Sequence, residues 1–178
     1  MYFDMKLGAG EIPADAKVNY REAVRGIALN QDNKVLMVCN SKGDYKFPGG
    51  GIEAGEDHFA ALDREFREET GYAISEETAL AGIIVETRAD LYDPGAYFVM
   101  KSYYYSCQVT GGYAGQCLDA YEQELDFKPV YLTFEEACQT NQRLLDHQAE
   151  ALNDWVERET AVLKILADCR KSGMGRRL

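Results

Sequence analysis

Two histidines occur in 178 residues, and neither has the company that histidine catalysis needs. His58 opens a predicted helix and reads as a surface or capping residue, while His147 lies in a polar stretch with no partner in sequence. Serine–histidine–aspartate and cysteine–histidine chemistry therefore have little support. The five cysteines, Cys39, Cys107, Cys117, Cys138 and Cys169, are odd in number and widely spaced, with no C-x-x-C pair, so neither a zinc site nor a redox motif is indicated. A disulfide framework needs a higher density, and the expectation is reduced thiols in a cytoplasmic protein. Residues 1–13 hold no apolar run of signal-peptide length, and no stretch is long enough to span a membrane. Positive charge is scarce as well: 19 Lys and Arg against 30 Asp and Glu leave a net charge of −11. Such a surface repels a polyphosphate backbone, which argues against a nucleic-acid polymer as partner. It also means that a phosphorylated ligand must be shielded by a cation or by a local cluster of Arg and Lys. The G-x-x-x-x-G-K-[ST] pattern is missing, which removes the P-loop.

What is present suits a single domain with one sizeable core. Residues 1–17, punctuated by Gly and Pro, read as an irregular leader. Residues 21–29 and 34–39 are strand candidates around the turn signal Gln31-Asp32-Asn33, which predicts a hairpin. A short strand at 45–47 runs into Pro48 and the glycines Gly49, Gly50 and Gly51. Residues 58–70 read as a helix with the apolar stripe Phe59, Leu62 and Phe66, stopped by Gly71. Further strands are predicted at 80–88, 98–109 and 130–132. A short helix is predicted at 134–139 and a longer one at 150–169, the latter with Leu152, Trp155, Val156, Val162, Leu163 and Leu166 facing inward. This alternation predicts a mixed sheet covered by helices on both faces.

The chemistry concentrates in residues 49–72. On the predicted helix Glu65, Glu68 and Glu69 stand at i, i+3 and i+4, which puts three carboxylates on one side, at the edge of the apolar stripe. Crowded carboxylates repel one another, and a hard cation removes that penalty. Mg²⁺ prefers oxygen ligands and commonly bridges to phosphates. Three consecutive glycines let the backbone approach a ligand closely, and Arg64 is placed to orient a carboxylate. A metal, a held water and a carboxylate base are the parts needed for water to attack phosphorus.

From Gly50 the pattern runs Gly, five residues, Glu56, seven residues, Arg64-Glu65-Phe66, one residue, Glu68-Glu69, one residue, Gly71-Tyr72. This resembles the signature box of the Nudix hydrolase family at every specified position. The resemblance implies an α/β fold, an α/β/α sandwich with a mixed, mostly antiparallel sheet. It places one domain over residues 18–170, between the leader and a flexible tail at 171–178. It also implies that Glu68 and Glu69 are metal ligands and that Glu65 is a ligand or the general base. Arg64 orients the carboxylates, Glu56 assists with metal or water, and the Gly49 carbonyl is a backbone metal contact. Many relatives use a further glutamate downstream, for which Glu122 and Glu124 are the candidates. The implied cofactor is Mg²⁺, with Mn²⁺ as substitute.

The implied substrate is a small diphosphate: a nucleoside diphosphate linked to another group, with nucleoside triphosphates, oxidised ones included, expected first. Arg21, Arg25, Lys46 and Arg88 are the basic residues nearest the predicted core strands, and Arg25, Lys46 and Arg88 are the expected phosphate contacts. Tyr103, Tyr104 and Tyr105 alternate across a strand and read as packing residues. The signatures of the NADH, ADP-ribose and coenzyme A branches are absent. An alternative is a domain that senses a nucleotide or sugar phosphate without cleaving it, although its box is usually degraded. Family members often form homodimers, and the Tyr-rich strand or the last helix offers a surface for one.

Overall fold

The computed structural model describes residues 1–8, 10–147 and 152–172. The strands are β1 (Phe3–Gly8), β2 (Val18–Ala28), β3 (Val35–Cys39), β4 (Tyr45–Lys46), β5 (Ala73–Ile74), β6 (Ala79–Ala89), β7 (Tyr97–Cys107), β8 (Val109–Thr110) and β9 (Lys128–Leu132). The helices are α1 (His58–Thr70), α2 (Ala120–Glu124), α3 (Phe134–Asp146) and α4 (Val156–Lys171). Strand order is β1-β6-β7-β2 in one sheet and β4-β3-β9 in a second, with β5-β8 as a separate pair. β1–β6 and β2–β7 are parallel and the other pairings antiparallel, so the sheet structure is mixed as expected.

The period-2 alternation of β2 and β3 sorts their side chains onto two faces. Val24, Ala28 and Leu36 pack with Leu62 and Phe66 of α1. Ile27, Val35 and Met37 pack with Phe134 of α3 and with Val162, Leu163 and Leu166 of α4. Helices thus cover both faces. Gly26 lets α1 come close, because a Cβ there would lie 2.8 Å from the Phe66 ring. The N-cap of α1 is Asp57, which accepts from the Ala60 amide at 2.8 Å, and Gly71 ends the helix in the left-handed conformation at φ 74°. His58 is therefore not the cap. Its ring packs on Tyr103, and its Nδ1 lies 2.7 Å from the Tyr105 hydroxyl.

Several boundaries differ from those the sequence predicts. The leader is not irregular throughout, since Phe3–Gly8 forms a strand along β6. The turn after β2 forms, with Asn30 Oδ1 accepting from the Asp32 and Lys34 amides, but the hairpin ends at a single bridge between Leu29 and Val35. Residues 48–52 occupy the edge of β2 that the hairpin would have used. The strand expected at 98–109 breaks at Gln108 into β7 and β8. α3 runs to Asp146 behind a capping box of Thr133 and Glu136. The last helix begins at Val156, because Asn153 and Trp155 are tied to Asp44 and hold the preceding segment out of the helix. Its predicted start at 150 and nearly all of the tail at 171–178 lie outside the described residues. No helix among the described residues is long and apolar enough to cross a membrane.

β1 is anchored by Phe3, which is 6% exposed, fills the space over Gly82 and meets Tyr104 edge-on at 5.4 Å between ring centres. Phe3→Ala should lower unfolding free energy by about 3 kcal/mol. Urea denaturation checks this, and a loss below about 0.5 kcal/mol would mean that β1 is not part of the core.

Candidate functional site

The glycine turn is built onto β2. The Val24 amide donates to the Gly50 carbonyl at 3.0 Å, the Gly26 amide to Pro48 at 2.8 Å, and the Ile52 amide to Glu22 at 3.1 Å. Gly49 has φ 136°, and a Cβ there would collide with the Val24 carbonyl at 2.1 Å, so this close docking requires glycine. The turn lies against the last turns of α1. Glu69, 1% exposed, accepts from the Gly49 amide at 2.9 Å with one oxygen and is ion-paired to Lys46 with the other.

Glu65, Glu69 and Glu122 each offer a carboxylate oxygen within 4.8 Å of the other two. Burial pushes the Glu65 carboxyl up, and the nearby Glu69 charge adds to this against the pull of Arg64. Glu122 is pushed up to about 7, first by burial, opposed by its bond to the Asp119 amide and then reinforced by Glu69. Gly50 leaves room for the cluster, since a Cβ there would fall 2.2 Å from a Glu65 oxygen. Crowded all-oxygen donors, one buried and two half-buried, fit a hard divalent cation.

Arg64 organises the rim. It donates to Glu56 at 2.7 and 2.9 Å, to Glu65 at 2.9 Å, to Glu68 at 3.2 Å and to the Gly51 carbonyl at 3.1 Å. Those bonds hold Glu56 down at about 2, helped by the Glu53 amide. Glu56 therefore faces Arg64 and lies outside the three-carboxylate group. Glu68 also lies outside it and lines an adjoining cavity of about 550 Å³ with Glu65 and Glu122. The two downstream candidates separate cleanly. Two positions along a helix turn it by roughly 200°, and Glu124 is exposed while Glu122 points in.

Beside the cluster lies a cleft of about 500 Å³. Arg21, Arg25, Lys46 and Arg88, the four basic residues singled out in the sequence, all line it, together with Gly49, Gly50 and Gly51. Arg25 is 7% exposed, its Nε lies 3.8 Å from Glu159, and that Nε has no hydrogen-bond partner among the described residues. Arg88 stacks over Phe98 at 4.9 Å and pairs with Asp154 at 2.8 Å. None of the three consecutive tyrosines lines the cleft: Tyr104 is in the core, and Tyr103 and Tyr105 lie under His58.

The family model of the NUDIX domain matches residues 19–165. The chain belongs to the NUDIX family. An RNA pyrophosphohydrolase of Pelagibacter ubique (strain HTCC1062) is 42% identical over 62 residues, covering 32% of this chain and 39% of that protein. Nudix hydrolase 25 of Arabidopsis thaliana is 42% identical over 59 residues, 32% of this chain and 34% of that protein. The matched stretch thus spans between about a third and two-fifths of these relatives. A NUDIX hydrolase structure from Nitrosomonas europaea shares the fold at a TM-score of 0.56 and 19% identity, over 86% of this chain and 90% of that one.

In this NUDIX domain the sequence alone did not mark Arg158. It is 1% exposed, lines the cleft, and donates to Glu86 at 2.6 Å, to Glu159 at 2.8 Å and to the Tyr104 hydroxyl at 3.1 Å. A signal was present: Arg158 and Glu159 fall on the inward stripe between Trp155 and Val162, where a charged pair is out of place. Tyr92 and Tyr121 also line the cleft, and nothing in their local sequence marks them.

A cation held by this cluster would need Glu122 as carboxylate, and protons would then compete with it below about pH 7. Mn²⁺ affinity should weaken on acidification by up to about tenfold per pH unit for one displaced proton and level off above that range. Calorimetric titrations between pH 5.5 and 8 read this, and a flat profile would remove Glu122 from the cation site.

Proposed function

We propose that the chain is a divalent-metal-dependent hydrolase of a phosphoanhydride bond, with Mg²⁺ the expected ion and Mn²⁺ a substitute. Its substrate would be a small diphosphate, a nucleoside diphosphate linked to another group, with nucleoside triphosphates and their oxidised forms first. One observation carries the reading: the carboxylates Glu65, Glu69 and Glu122 form a wall of the same cleft that Arg25, Lys46, Arg88 and Arg158 line. Basic side chains suited to phosphate oxygens and carboxylates suited to a hard ion share that cleft, which supports the reading.

The ion, when bound, supplies charge stabilisation of the phosphate oxygens and makes water more acidic. The chain's own residues do the rest. Lys46 and the Gly49 amide orient Glu69. Arg64 holds Glu65 in place, and Glu56 acts by fixing Arg64. Glu65 or Glu122 takes the proton from the attacking water, a role that their place on the wall of the cleft supports. Glu68 and the Gly49 carbonyl complete the proposed ligand set, and Glu124 is left out of it. Arg25 and Arg158, held in the cleft floor, receive phosphate oxygens.

The Pelagibacter relative is named for action on RNA. A net charge of −11 supports a small molecule here instead. A cytoplasmic setting and a homodimer accompany this reading as expectations.

The test is release of phosphate or pyrophosphate from a panel of nucleotides, nucleotide conjugates and a 5′-triphosphorylated oligoribonucleotide, with Mg²⁺, Mn²⁺ or EDTA. Turnover of a small nucleotide is expected with either ion and none with EDTA, and Glu65→Gln should reduce it by about 10²-fold or more. Glu65→Gln is the cleaner variant, because Glu69→Gln would strand Lys46. Ligand-induced thermal stabilisation without turnover would replace the hydrolase reading with nucleotide sensing.

A further inference from the structure

An α-helix leaves its last four carbonyls without donors from within the helix. At the end of α1 the Arg67 carbonyl is met by the Gly71 amide at 2.8 Å. Residues 114–117 then meet the next carbonyls along. The Cys117 amide donates to Glu68 at 2.9 Å, and the Ala114 amide to Gly71 at 2.8 Å. The Gln116 side chain donates through Nε2 to the Glu69 carbonyl at 2.6 Å and to the Phe127 carbonyl at 3.0 Å. A primary amide carries two N–H groups, and both are used.

Glu122 stands six residues beyond Gln116, on α2. That helix has five residues and buries none of them. So short a helix does not hold itself in place. A capping box closes it: the Glu122 amide donates to Asp119 at 2.8 Å, and the Asp119 amide donates to the Glu122 carboxylate at 2.9 Å. The segment on the C-terminal side of α2 is tied toward β3, since Leu125 and Phe127 pack with Val38 and the Ser41 amide donates to the Leu125 carbonyl at 2.8 Å. The segment on its N-terminal side is tied to α1, the element that carries Glu65 and Glu69. Gln116 is the side chain that ties the two sides together, since it bridges the Glu69 carbonyl at the end of α1 and the Phe127 carbonyl beyond α2.

We propose that Gln116 is a positioning residue for the carboxylate cluster, stapling the backbone of Glu69 to the root of β9 so that Glu122 is held against Glu65 and Glu69. This rests on the reading of that cluster as a cation site, and it is tested on cation binding alone, without substrate.

The experiment measures Mn²⁺ affinity of the full chain for wild type, Gln116→Met, Glu122→Gln and the double variant. Methionine keeps the length of glutamine and supplies no N–H. Gln116→Met should weaken Mn²⁺ binding about tenfold, the usual scale for a partner that orients ligands. In the Glu122→Gln background the same change should cost less than about twofold, because the residue it positions no longer ligates. Amide hydrogen exchange of the metal-free protein should rise across residues 120–125 in Gln116→Met and stay unchanged in α4. Gln116→Asn, with a shorter amide, should fall between wild type and Gln116→Met, which keeps the test open if methionine fails to fold. Unchanged Mn²⁺ affinity in Gln116→Met, or the same factor in both backgrounds, would overturn the proposal. A wild type that binds no Mn²⁺ would overturn the cation-site reading itself, and the proposal with it.

Discussion

Glu69 is charged at 1% exposure, and the site exists in this form because two groups answer that charge. Lys46 ends β4 and the Gly49 amide follows it in the glycine turn, so this one run of chain is fastened to the far end of α1 through a single carboxylate. Breaking such a buried pair by removing one partner costs about 3–5 kcal/mol, chiefly because the other charge is left unanswered. The Lys46 ammonium lies in turn over the Phe127 ring at 4.9 Å and the Trp155 ring at 5.6 Å. The pair thus joins the end of α1 to the cleft wall that leads into α4. Glu65 has Arg64 and Glu122 has the Asp119 amide, yet burial still raises the proton affinity of both.

The cleft concentrates basic side chains that are scarce in the chain as a whole. The molecule is strongly acidic, yet Arg25, Lys46 and Arg158 are each less than a tenth exposed and border one cavity. Their counter-charges, Glu159, Glu69 and Glu86, stand behind or beside them. Each guanidinium is oriented before a ligand arrives, which limits the ordering that binding must bring about.

The helix α1 was legible in the sequence because independent signals coincide on it: the apolar stripe, the left-handed Gly71 stop and the spacing of the box. The phase that puts Glu65 and Glu69 together came with it, whereas Glu68, expected on the same side, falls outside the three-carboxylate group. The burial of Arg25 and Lys46 was not legible, because it depends on pairing with Glu159 and Glu69. β1 carried a weaker signal: Phe3, Met5 and Leu7 alternate with Asp4 and Lys6. Its partner β6 lies far along the chain, so no local turn marks the pairing. Glu122 was separable from Glu124 only once the helix between Asp119 and Leu125 fixed which one turns inward. The hairpin failed because residues 48–52, outside the local window, compete for the same edge of β2. Arg158 was hidden because a buried arginine is legible only when Glu159, Glu86 and Tyr104 are seen around it.

β2 does two jobs by parity alone. Val24, Gly26 and Ala28 form the small-residue floor on which α1 rests, while Ala23 and Arg25 look into the cleft from the opposite face. Its parallel register with β7 runs unbroken from Val18 to Ala28. Sliding the strand by one position would put a guanidinium under the Phe66 ring and an aliphatic side chain among the cations of the cleft. Misalignment would thus damage the hydrophobic interior and the ligand cavity at once. The correct alignment is protected by both, and foldability and chemistry are written in the same few residues.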